Sequence, residues 1–213
     1  MKIALLGAES TGKTQLAQEL ASFLRAQGQS VEVVPEVLRQ WCEREGRTPQ
    51  PQEQLPIAQE QERQVDQAAG RAGIVVADTS ALMVAIYSAM LFEDATLYQF
   101  ALERQRTYDI TLLTGLDLPW VADGLQRDGP HVREPVDALV RAALQRAGVP
   151  YRLVYGSGRE RLANAVAAIG AGDRPAAPSR PWSWSCEKCG DPDCEHRLFT
   201  GLWGSPGAGR PAT

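Results

Sequence analysis

Lysine is nearly missing from this chain of 213 residues: only Lys2, Lys13 and Lys188 occur, and arginine carries the rest of the positive charge. With a formal net charge of −4, the composition argues against a general nucleic-acid role, which favours a basic surface. The arginine bias suits phosphate recognition by the guanidinium fork, and the codon usage of a GC-rich genome accounts for it at least as well. No run of about 18 apolar residues is present, so no membrane-spanning helix is expected. The first residues enter an apolar run directly, without the charged, apolar and cleavage regions of a signal peptide. A cytoplasmic location is the expectation. Histidine is limited to His131 and His196, and cysteine to Cys42 plus a cluster at Cys186, Cys189 and Cys194. In a reducing compartment such a cluster points to metal before disulfides.

Against these absences stands one dense motif. Residues 7–14 read Gly7-Ala8-Glu9-Ser10-Thr11-Gly12-Lys13-Thr14, which fits G-x-x-x-x-G-K-[ST], the phosphate-binding P-loop. In it, backbone N–H groups wrap the phosphates of ATP, Lys13 reaches the β- and γ-phosphates, and Thr14 holds Mg²⁺. Its context agrees. Residues 2–6 form a short apolar run, and residues 15–27 carry Leu16, Leu20, Phe23 and Leu24 at helical spacing. The helix N-terminus adds its partial positive charge to the site.

The rest of the chain repeats a strand–helix alternation. Strands are expected at residues 31–34, 73–79, 109–114 and 151–155, with helices at 36–45, 55–71, 81–91, 94–106, 133–147 and 159–169. Residues 48–54, rich in Pro and Gln, are expected to be a loop. The total is an α/β fold, a doubly wound five-stranded parallel sheet of the P-loop NTPase type. No N-K-x-D motif is present, so guanine recognition has no support.

Candidate chemistry follows from position. The apolar strand ending at Asp78 has the Walker B pattern, whose carboxylate helps to hold Mg²⁺. Glu36 and Arg39 lie one helical turn apart, just past the C-terminal end of a strand, where ligands bind in open parallel sheets. They fit a sugar's hydroxyls, or Glu36 a base, and an i,i+3 surface ion pair explains them equally well. The long loop after the fourth strand carries Asp117, Trp120, Asp123 and Arg127. Trp120 suits stacking on a planar ring, and Arg127 or Arg133 suits a transferring phosphate. By analogy of fold, Gly156, Gly158 and Arg159 fall on the adenine side.

The chain resembles the ribosylnicotinamide kinase domain of NadR-type proteins, within the P-loop nucleoside and nucleotide kinases. The resemblance covers about residues 1–170. It rests on the P-loop, Val34-Pro35-Glu36 with Arg39, Ile57-Ala58-Gln59-Glu60-Gln61, Asp78-Thr79 and Tyr108-Asp109. Asp117-Leu118-Pro119-Trp120 with Asp123-Gly124 completes it. It implies ATP-dependent phosphorylation of the 5′-hydroxyl of nicotinamide riboside, giving the mononucleotide. Trp120 would then stack against the nicotinamide, with Glu36 and Arg39 around the ribose and Asp78 or Glu36 as base. Two departures stand out. The chain begins at the P-loop strand, without an adenylyltransferase domain or its histidine motif, so it is expected to make no dinucleotide. Ser80 also stands where many relatives carry an acidic residue.

Beyond residue 170 the composition changes. Residues 171–181 read as a Pro/Ala/Gly linker. Residues 182–203 contain Cys186, Cys189, Cys194 and His196 in the spacing C-x₂-C-x₄-C-x-H, a ligand set suited to a structural Zn²⁺. Residues 204–213 are expected to be disordered. The expected partner is a small-molecule nucleoside, with no nucleic acid and no membrane. Two other readings share the scaffold: a kinase for another nucleoside or small alcohol, and an ATP-binding regulatory module.

Overall fold

A computed structural model describes residues 1–121 and 129–170. Five strands, β1 (Lys2–Leu6), β2 (Val31–Val34), β3 (Ile74–Asp78), β4 (Ile110–Thr114) and β5 (Arg152–Val154), form one parallel sheet in the order β2-β3-β1-β4-β5. The register sets Leu5 opposite Asp78 and Leu6 opposite Leu113. The ends of β1, β3 and β4 therefore lie side by side at one edge of the sheet. The helices are α1 (Lys13–Ala26), α2 (Val37–Glu45), α3 (Pro51–Ala69), α4 (Ala81–Phe92), α5 (Leu97–Gln105), α6 (Arg133–Arg146) and α7 (Gly158–Gly170).

Both faces of β1 are covered, which is why it reads as an unbroken apolar run. Ile3 and Leu5 point to one side and pack with Leu16, Leu20 and Leu24 of α1 and Ala165 of α7. Leu6 points to the other side, into a core built from α2 to α6 that includes Ile57, Leu82, Ile86, Val140 and Leu144. Among the described residues no helix is long and apolar enough to cross a membrane.

One expected boundary is wrong. Residues 51–54 are helical, because α3 starts at Pro51 and not after Gln54. Proline is tolerated at the first helical position, whose N–H has no intrahelical partner. Glu53 fixes that start: its carboxylate accepts from the Gln50 N–H at 2.7 Å and from both terminal nitrogens of Arg47 at 2.7 Å. The Arg47 fork and the Gln50 N–H hold the Glu53 pKa down to about 2.

Candidate active site

The P-loop leaves β1 and turns into α1 through backbone that glycine alone adopts easily. Gly7 has φ +146°, and a Cβ there would lie 2.1 Å from Thr114 Oγ1 of β4. Gly12 has φ +71° and heads α1. The loop is braced from within. The Thr11 hydroxyl donates to the Ala8 carbonyl at 2.8 Å, and Thr114 Oγ1 lies 2.8 Å from Thr11 Oγ1.

Lys13 is buried, and its ammonium donates to the Gly7 and Ala8 carbonyls, each at 2.8 Å. Burial pulls its pKa below the ordinary lysine value, opposed by the nearby carboxylates of Glu36, Asp78 and Glu9 and reinforced by Arg39. These five side chains therefore form one electrostatic group, although they come from three separate strand ends. Thr14, the next residue, is exposed, and its Oγ1 accepts from Arg39 Nη1 at 3.0 Å. Arg39 also pairs with Glu36 at 2.8 Å. The Glu36–Arg39 pair is thus an i,i+3 ion pair that also reaches the P-loop. Its position is fixed by Gln61 of α3, whose side chain accepts from the Val37 N–H at 2.9 Å.

Asp78 closes β3 and is only 2% exposed, and its Oδ1 has no hydrogen-bond partner among the described residues. The turn after it is held by buried polar side chains, with Ser80 in the capping place that its sequence position before the helix suggests. Glu62 accepts from the Ala81 N–H at 2.8 Å, and Ser80 Oγ lies 2.5 Å from Gln105 Oε1. Ser80 Oγ also accepts from the Leu82 N–H at 3.3 Å, capping α4.

The loop after β4 rests on the P-loop. Ser10 Oγ donates to the Val121 carbonyl at 2.7 Å and accepts from the Val121 N–H at 3.1 Å. A Cβ on Gly12 would stand 3.0 Å from Leu118 Cδ1. Trp120 is half-buried in this loop, and its indole N–H is buried without an acceptor among the described residues. Asp117 is turned elsewhere: it accepts from the Gly156 N–H at 2.6 Å and pairs with Arg161 at 3.3 Å. Arg133 is buried and donates to the Leu116 carbonyl at 3.2 Å, at the loop's start. Asp123 and Arg127, like Cys186, Cys189, Cys194 and His196, lie outside the described residues. Among the described residues no group of three or more His, Cys, Asp and Glu side chains could hold a metal ion.

On the β5 side the arginine that matters structurally is Arg161, which pattern reading passes over. Arg159 is exposed, whereas Arg161 is 4% exposed and donates to Thr11 O at 2.6 Å and Gly156 O at 2.9 Å. With its Asp117 pair, it ties the P-loop to the loops after β4 and β5. Removing a buried charge strands its partners, although the half-exposed Asp117 can turn to water. Arg161→Met should lower stability by about 2–3 kcal/mol, or roughly 5–10 °C in Tm. Arg161→Lys should not recover it, since an ammonium cannot span three separated acceptors. Thermal melts of both variants check this.

The donor set fits the groups that the motif implies. Loop amides at a helix N-terminus and a buried ammonium suit the phosphates of ATP. Oxygen donors alone, the Thr14 hydroxyl and the partly uncommitted Asp78 carboxylate, suit the hard cation Mg²⁺.

Comparison with known proteins agrees with this geometry. The AAA domain family matches residues 2–161. Among curated proteins no sequence matches the chain. Among solved structures, NadR protein in complex with NR has a TM-score of 0.62 at 18% identity, over 84% of this chain and 51% of that one. NadR protein in complex with NAD and AMP-PNP has a TM-score of 0.58 at 19% identity, over the same shares. The chain therefore spans about half the length of those NadR chains. Deoxyadenosine kinase from M. mycoides has a TM-score of 0.55 at 16% identity, over 80% of this chain and all of that one. Identities this low speak for the fold alone. The matched family and the P-loop geometry agree: the chain belongs to the AAA domain family and has a P-loop fold of the nucleoside- and nucleotide-kinase kind.

Proposed function

We propose that this protein is an ATP-dependent kinase that phosphorylates the 5′-hydroxyl of nicotinamide riboside to the mononucleotide. The observation that carries the reading is the meeting of two half-sites at one sheet edge. The phosphate loop with Lys13 and Thr14 is bonded directly to the Glu36–Arg39 pair and to the Pro119-Trp120 loop. A nucleotide switch needs only the first half. The second supplies what a nucleoside needs: a carboxylate and a guanidinium for ribose hydroxyls, and for a base an aromatic face whose N–H has no acceptor among the described residues. Likeness in fold to NadR protein complexes with NR supports that choice of acceptor. The fold of deoxyadenosine kinase, matched over its whole length, supports a second reading, another nucleoside as acceptor.

In the reaction, the 5′-oxygen forms a bond to the γ-phosphorus while the bond from that phosphorus to the β–γ bridging oxygen breaks, and ADP leaves. The proton of the 5′-hydroxyl passes to a carboxylate, Asp78 or Glu36. Lys13 and the loop amides hold the phosphates, and Arg39 adds charge beside them. Thr14 and Asp78 would hold Mg²⁺, which would neutralise phosphate charge when bound.

ADP release should be measured with nicotinamide riboside and a panel of ribo- and deoxynucleosides, with mass spectrometry of the product. Nicotinamide riboside should be turned over at roughly 1–100 s⁻¹. Trp120→Ala should raise the KM for it by about tenfold or more and leave the KM for ATP unchanged. Turnover confined to a deoxynucleoside would select the second reading. ATP hydrolysis indifferent to every acceptor would reject both in favour of a regulatory ATP-binding module.

A further inference from the structure

Thr79, directly after the strand-ending aspartate, is strained, buried and unpartnered at the same time. Its φ is +95°, a value that L side chains rarely adopt and that is a genuine outlier for a β-branched residue. It is 1% exposed, yet its hydroxyl has no hydrogen-bond partner among the described residues. The preceding residue, Asp78, also has a buried oxygen without a partner among the described residues. Two adjacent buried orphans at one strand end are rare, because each is left desolvated.

The surroundings hold this geometry in place. Before Thr79, Ala77 pairs with Ala4 of β1 and Val34 of β2, and Asp78 pairs with Leu5. After it, Ser80 is fixed by Gln105 and Leu82, and Ala81 by Glu62. Residues on both sides are pinned, so the strain falls on Thr79. In a regular strand consecutive side chains point to opposite faces. The left-handed turn ends that alternation where the sheet meets the phosphate site, whose Lys13 senses the Asp78 charge. Such strain persists where it positions a group for use.

We infer that Thr79 Oγ1 and Asp78 Oδ1 together hold the acceptor's alcohol group, the threonine donating to its oxygen and the carboxylate accepting from its O–H. The assignment rests on the kinase reading above and adds a residue to it. An alcohol needs one donor and one acceptor, and this pair offers one of each. A hydrated cation would use both oxygens as acceptors and leave the buried threonine proton without a partner. Asp78 keeps its second oxygen for the metal's water.

Four substitutions test this. Thr79→Ser should keep acceptor kcat/KM within about threefold, whereas Thr79→Val should lose about 10- to 100-fold. The Kd for ATP without acceptor should stay within about twofold of wild type in both, because the hydroxyl touches only the acceptor. Thr79→Gly should lose acceptor turnover like Thr79→Val yet melt about 2–4 °C above Thr79→Ala, reversing the usual order of alanine over glycine. Unimpaired Thr79→Val, or a Thr79→Ala variant that melts above Thr79→Gly, overturns the inference alone. Wild-type protein that consumes ATP regardless of acceptor overturns it together with the kinase reading.

Discussion

Replacing Lys13 with methionine should lower kcat/KM for ATP-dependent turnover by about 1,000-fold while the protein stays folded. The reason lies in the charge balance at the loop. Carboxylates of Glu36, Asp78 and Glu9 act on this one buried ammonium, and a nucleotide adds several more negative charges to the same place. Arg39 also acts on this ammonium, and it is already shared between Glu36 and Thr14. Methionine preserves the packing of the stem but abandons the Gly7 and Ala8 carbonyls. Two lost hydrogen bonds cost about 1–3 kcal/mol, offset in part because burial disfavours the charge in the first place. The Tm should fall by less than about 8 °C. Steady-state kinetics with a thermal melt of the same sample check both halves. Near-wild-type turnover would remove the phosphate-transfer reading altogether.

How much of this site the sequence carries depends on how local each feature is. The P-loop is legible because eight consecutive residues encode its conformation, its charge and the helix that follows. β1 and β3 are legible because strands buried on both faces read as unbroken apolar runs. Residues 51–54 mislead because their proline reads as part of a loop, while the helix start depends on Arg47 and Glu53 finding each other. Arg161 is invisible for a stronger reason: its shortest bond, to Thr11 O, joins residues 150 apart. Beside the exposed Arg159 nothing in the local pattern distinguishes it. Asp117 is a candidate in sequence only as an acidic residue of the long loop after β4, and its proximity to the Gly156 N–H and Arg161 emerges only when β4 and β5 pair. Thr79 is the extreme example, since no residue pattern announces a positive φ at a β-branched side chain.

On the proposed kinase reading, the same electrostatic group favours one of the two carboxylates as proton acceptor. Glu36 is paired with Arg39 at 2.8 Å, so its carboxylate is already engaged by that guanidinium. Asp78 has a buried Oδ1 with no donor competing for it among the described residues, at a strand end that the register sets beside the start of the P-loop. On the proposed kinase reading it is the better placed base. Asp78→Asn keeps the shape and removes both the charge and the proton acceptor, so kcat should fall by about 1,000-fold. Its stability should barely move. The variant gives up attraction to Lys13 but no longer buries a carboxylate oxygen without a partner, and these opposing effects should leave Tm within about 3 °C. Glu36→Gln should act differently, raising the acceptor KM by about tenfold with kcat changed by less than about tenfold, because it loosens Arg39 without touching the proton path. Measuring kcat and KM for both variants separates the roles. If Asp78→Asn stays within about tenfold of wild type while Glu36→Gln loses the larger factor, the proton goes to Glu36 instead, and the orphaned oxygen of Asp78 belongs to the metal's water.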